Sequence, residues 1–172
     1  YRKFPFSIMF QYYGPQNAMP MWKFHFMPDL DPLGPPWKPN YPLGGDAVGE
    51  ALSGFSIREA AELVRGMASG WRRGLAHLLP LRKLFAENRE RVRDIDTAAA
   101  LGILFDGTLN LLNFYSLREK LFLGEKSVLP EMVNLLHSQK QLLEQLAPLL
   151  DADSRLGFHG EALTRIFDGD KT

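Results

Sequence analysis

With 172 residues, twenty basic and twenty acidic side chains and no cysteine, the chain is sized for one domain or a large piece of one. The zero net charge argues against a general nucleic-acid binder, which carries a basic excess to displace counterions. The lack of cysteine excludes disulfides, zinc–thiolate sites and a thiol nucleophile.

Residues 1–55 hold nine of the twelve prolines and twelve of the twenty aromatic residues. Phe4-Pro5-Phe6-Ser7-Ile8-Met9-Phe10 reads as a buried strand and Tyr12-Tyr13-Gly14-Pro15 as a turn. Trp22-Lys23-Phe24-His25-Phe26 alternates with period two, as a short strand does. The proline density from Pro28 to Pro42 forbids regular helix and central strand. The many large aromatics favour burial over disorder. An extended, ordered segment lying over a helical body is the expectation for 1–55.

Residues 56–172 form the second unit, a helical bundle followed by a polar terminal loop. Ser56-Ile57-Arg58-Glu59 is a capping-box pattern, and Ile57, Ala60, Ala61, Val64, Met67, Ala68, Trp71, Leu75 and Leu78 follow at helical spacing. Pro80 ends or kinks that helix. A second helix begins near Leu81 or Ala86 and runs to about Leu123, with an apolar stripe through Val92, Ile95, Ala99, Ile103, Leu109, Leu112 and Leu117. Gly102 and Gly107 are candidate kinks or close-packing points, and Gly124 fits a C-terminal cap. A third helix spans about Leu129 to Leu150, with Pro130 in its first turn and Ser127 as a candidate cap. Its stripe is Met132, Leu135, Leu136, Gln139, Leu142, Leu143, Leu146 and Leu149. The fold class is therefore mainly α: an antiparallel bundle of about three long helices with an extended aromatic and proline-rich N-terminal segment.

Thr97 to Leu117 is long enough to span a bilayer, but Asp106, Asn110 and Asn113 in its middle are costly in lipid. A buried bundle helix is the better reading, with no membrane partner. These three residues, at i, i+4 and i+7, can share one face, where they form an interhelical hydrogen-bond network or line a cleft. Arg72, Arg73, Arg82 and Lys83, balanced by Glu87, Glu90 and Asp94, read as a solvated face rather than a phosphate groove.

Chemistry has few candidates. Asp29, Asp31, Asp46 and Glu50 lie near Trp22, Trp37 and Tyr41, and carboxylates beside aromatic faces suit a carbohydrate site. Turn-forming aspartates and core tryptophans account for the same residues. His25 reads as a hydrogen-bonded structural histidine, and His77 and His137 have no metal-type helical partner. In the terminal loop, Asp153 and Arg155 can pair with each other or cap helix ends, and His159 and Glu161 are an acid and a base of unspecified geometry. No metal site or cofactor is indicated. There is no GxGxxG, P-loop, GxSxG or HExxH.

One segment carries a resemblance. Asp151-Ala152-Asp153-Ser154-Arg155-Leu156-Gly157-Phe158-His159-Gly160-Glu161-Ala162, following a leucine-rich helix, resembles the C-terminal helical region of large bacterial glycoside-hydrolase-like proteins. The close match covers about 15 residues, and Leu163-Thr164-Arg165-Ile166-Phe167 departs from the aromatic-rich continuation of that pattern. The chain opens at Tyr1 and ends in Asp168-Gly169-Asp170-Lys171-Thr172 without a closing element, and reads as a fragment of a longer protein.

The resemblance implies a role in buttressing a catalytic core and completing a sugar-binding cleft. Carbohydrate and the remainder of the parent chain would be the partners. Asp153, Arg155, His159 and Glu161 would be contacts, with Trp22 and Trp37 as sugar platforms. No catalytic residue is carried over, the fragment alone would be inactive, and cytoplasmic and secreted locations both stay open. The alternative is a non-catalytic helical interaction module or subunit of a larger assembly, with the aromatic arm and the leucine-rich third helix as its surfaces. A third reading is a ligand-binding bundle with its pocket near Asp106, Asn110 and Asn113.

Overall fold

The structure is a computed structural model that describes residues 55–153 and Leu156. The strands expected at 4–10 and 22–26 lie outside the described residues. The described part is mainly α, with three long helices: α1 (Ile57–Leu78), α3 (Arg89–Phe122) and α4 (Leu129–Ala152). The one-turn helix α2 (Leu81–Leu84) and a 3-10 turn (Lys126–Val128) complete the order.

The start of α1 is the capping box. Ser56 Oγ accepts from the Glu59 N–H at 3.3 Å, and Glu59 Oε2 accepts from the Ser56 N–H at 2.8 Å and the Ser56 hydroxyl at 2.7 Å. These bonds hold the Glu59 carboxyl below its ordinary pKa, the Ser56 side chain contributing most. Pro80 terminates α1, as expected, and becomes the N-cap of α2. The second long helix starts at neither Leu81 nor Ala86. The chain turns once through α2, and Asn88 then caps α3 by accepting the Arg91 N–H at 3.1 Å. At its far end Gly124 takes φ +98°, the Glu125 N–H bonds Lys120 O at 3.0 Å and the Gly124 N–H bonds Leu121 O at 2.9 Å. That pair of bonds is a Schellman motif. Ser127 does not cap α4. The 3-10 turn leads into the helix through Val128, which is buried and supplies no side-chain cap.

The helices pack in an antiparallel sequence with α3 in the middle, and most interhelical packing is α1 on α3 and α4 on α3. Two core clusters show the directions. Ala60, Ala61 and Val64 near the start of α1 meet Leu111, Leu112, Phe114, Tyr115 and Leu117 in the second half of α3, together with Val128 and Met132. Ala100, Ile103 and Leu104 in the first half of α3 meet Leu146 and Leu150 near the end of α4.

The central position explains a departure from the expected stripe. Gly102, Ile103, Leu104 and Phe105 are consecutive and all buried, and four successive helical residues cover nearly the whole circumference. Over these residues α3 is therefore apolar all round, the pattern of a helix covered on every side. It is long and apolar enough to cross a membrane by length and composition alone, and its middle packs against α1 and α4. Gly102 is a close-packing point: a Cβ there would lie 2.7 Å from Leu75 Cδ1 and 3.1 Å from Trp71 Cδ1. Trp71 reaches across the same crossing, donating its Nε1–H to Ala98 O at 2.8 Å and meeting Phe105 edge to face at 5.2 Å.

Candidate functional site

The polar groups that the sequence places on one face of α3 divide between two neighbours. Asp106 pairs with Arg72 of α1. Burial pushes the Asp106 carboxyl above its ordinary pKa, and the Arg72 guanidinium opposes that shift. Asn110 instead faces α4, where its Nδ2 donates to Ser138 Oγ at 3.1 Å and to Gln139 Oε1 at 3.3 Å. Asn113 is half-buried. The interhelical network expected of this face is present at Asp106 and Asn110. Gln139 is 5% exposed, and its Nε2 has no partner among the described residues. This amide group lies along α3 and α4 between the two apolar clusters.

The basic cluster of Arg72, Arg73, Arg82 and Lys83 is a surface feature. Arg82 forms a two-pronged bond to Asp96, Nε to Oδ1 at 2.8 Å and Nη2 to Oδ2 at 3.2 Å, which fastens α2 to α3. Arg73 donates to Ser69 Oγ at 2.9 Å, one turn back on its own helix. Asp94 pairs with Arg91, at 3.6 Å, rather than with the α1–α2 cluster. His77 and His137 are exposed, and among the described residues no group of three or more His, Asp or Glu side chains is arranged to hold a metal ion.

Of the six residues expected to contact substrate, only Asp153 is described. It is the C-cap of α4, it is 4% exposed, and its Oδ2 lies 3.9 Å from Arg93 Nε on α3. A carboxylate in that position ties the end of α4 to the start of α3. Arg155, His159, Glu161, Trp22 and Trp37 lie outside the described residues, as do Asp29, Asp31, Asp46 and Glu50.

Nothing in the sequence singles out Arg118. Its side chain is fully buried, with the guanidinium carbon 4.4 Å from the Tyr115 ring centroid and Nη2 3.5 Å from Glu119 Oε1. In sequence it sits in Leu117-Arg118-Glu119-Lys120, which looks like a solvated last turn with basic residues at the negative end of the helix dipole. No local signal separates Arg118 from Lys120, which is exposed. The distinction arises from what lies beside each in space.

A depression with a volume of about 500 Å³ opens at the first turns of α1, lined by Phe55, Arg58, Glu59, Glu62 and Leu63. It is wide and open, its one phenylalanine and one leucine sit among charged side chains, and Glu59 is already engaged by Ser56. Asp106, Asn110 and Asn113 are not among its lining residues. Comparison of the chain with protein-family models, with curated proteins and with solved structures returned no match.

Proposed function

We propose that this chain is a non-catalytic helical interaction module, a part of a larger assembly. The described carboxylates that are most withdrawn from solvent are committed to contacts between helices: Asp106 to Arg72, Asp96 to Arg82 and Asp153 to Arg93. A general acid or base has to face the proton it moves, and these face their own scaffold.

The observation that carries the reading is the corner between α1 and α3. Leu79, Leu81 and Leu84 are 44%, 39% and 73% exposed there, on a single turn that the Arg82–Asp96 bond pins to α3. Leucines displayed on a rigid turn already have their geometry set, so a partner that covers them loses little conformational freedom in ordering them. The test is the L81E/L84E double variant, expressed in the cells from which the protein comes. Both positions are exposed, so stability should change by no more than about 0.5 kcal/mol. The native assembly, sized by gel filtration, should lose the variant chain. An assembly of unchanged size and composition would end this reading.

The second reading is the C-terminal helical part of a bacterial glycoside-hydrolase-like protein, completing a sugar-binding cleft. It is supported by the Asp151–Ala162 segment, which continues directly from the end of α4. A saccharide thermal-shift screen on the parent protein separates the two. A shift abolished by Glu161→Ala favours the cleft, and no response to any saccharide favours the module.

A further inference from the structure

The outer face of α4 carries Leu129, Val133 and Leu136, which are 41%, 50% and 44% exposed. Leu136, expected in the buried stripe, stands here instead, while Met132 and Gln139 on another side of the helix are buried. The line continues through Lys140, which is exposed and paired with Glu144 one turn further on. Steps of four, three and four residues are those of the seam along which two helices pack side by side. We propose that this Leu129–Val133–Leu136–Lys140 seam pairs with the same seam of a second copy of the chain, across a two-fold axis. The inference uses a different face from the Leu79–Leu84 corner and does not depend on the interaction-module reading.

Three observations select a second copy. The first is shape. The seam is narrow and straight, and roughly 17 Å long from Leu129 to Lys140. A second helix fits it, and each copy brings one of the same length and spacing, already folded, so pairing orders little that was free. The second is charge. Between residues 120 and 144, Lys120, Lys126 and Lys140 stand against Glu125, Glu131 and Glu144, all of them exposed. A rim of balanced sign meets its own copy without net repulsion, and a chain with no net charge has no long-range repulsion to keep copies apart. Parallel pairing would set Lys140 against Lys140 of the second copy, so the two helices run antiparallel. The third is area. Leu123, 88% exposed, caps α3 in the turn that leads to the seam. With Leu129, Val133 and Leu136 it leaves on the order of 400 Å² of apolar surface open, close to the apolar share, about 57%, of the roughly 800 Å² that each partner buries in a standard interface.

The test is the mass of the full chain in solution. Sedimentation velocity over about 1–200 μM, the affinity range of a small interface, should show the mass rise from 19.5 kDa toward twice that value. Val133→Asp should stay monomeric at every concentration, with circular dichroism checking that it folds, and Leu136→Lys should do the same. The L81E/L84E variant should dimerise as the wild type does. The absence of cysteine allows a direct check of position: Val133→Cys treated with a short bis-maleimide should join two copies, and Leu84→Cys should not. A wild-type chain that is monomeric throughout, a dimer that survives both seam variants, a dimer lost in L81E/L84E, or equal cross-linking from positions 133 and 84 would each overturn the proposal.

Discussion

Glycines in these helices carry opposite expectations according to what faces them. A Cβ on Gly66 or Gly74 meets nothing within 4 Å, so alanine gains helix propensity without a steric cost. Each of these substitutions should stabilise the fold by about 0.5–1 kcal/mol in urea unfolding. Gly102→Ala drives its methyl into Leu75 and the Trp71 ring. The leucine tip can turn aside, but the ring is held by its bond to Ala98 O, so a net loss of about 1–2 kcal/mol is expected.

Asp106 makes a pH prediction. Its pKa is raised in the fold, so its contribution to stability is fully present below the unfolded value and is lost as pH rises through the folded one. Asp106→Asn removes that loss, so relative to wild type it should be most favourable near pH 7. The advantage, within about 1 kcal/mol because Arg72 is half exposed, should shrink as pH falls through the carboxylate range. Thermal melts of both proteins from pH 7 to pH 4 check this. Glu59 runs the other way: with its pKa lowered by Ser56, its stabilising contribution is lost as pH falls through its folded pKa.

Between whole elements the polar groups act as index marks. Asn110, Ser138 and Gln139 meet at one level of the α3–α4 interface, with leucine-rich clusters above and below. Sliding α4 by one turn would set a buried amide against an apolar side chain, which is costly. In a double-mutant cycle, Asn110→Leu and Gln139→Leu should each destabilise by about 1–3 kcal/mol, and the double variant by less than their sum. Loss of a single register in the double variant, read as broadened amide resonances, is the accompanying signature.

At this scale much was legible in sequence. Ser56 and Glu59, Pro80, Gly124 and Pro130 act through short-range backbone chemistry, which neighbours in the chain determine, and they mark the helix ends within a few residues. Ser127 and the start of α3 are not legible in sequence, because a 3-10 turn or a one-turn helix can occupy the same residues as a cap, and only the packing of Val128 or the bond from Arg82 to Asp96 decides. The stripe expected on α3 is buried or half-buried throughout, but it is not the only buried face. Periodicity marks a buried face only when the opposite face meets water, and no such face exists from Gly102 to Phe105. In sequence Asp153 is one of several charges in a glycine-punctuated loop, and nothing nearby discloses Arg93 sixty positions earlier.

For the molecule as a whole, the antiparallel order places the start of α1, the end of α3 and the start of α4 together, with Asp153 and Arg93 at the other end. Asp153→Ala should lower stability by roughly 1–3 kcal/mol, since it removes a buried carboxylate that joins two helices. Thermal unfolding of the chain checks this without any ligand. The central helix also sets how the protein opens. The buried amides between Gly102 and Arg118 lie in the helix that packs against both α1 and α4, so deuterium is expected to enter them at a pace near that of complete unfolding. The exposed turn of α2 exchanges by local fraying, orders of magnitude sooner. The slowest exchange in the chain is thus expected within α3, where it measures the stability of the whole fold.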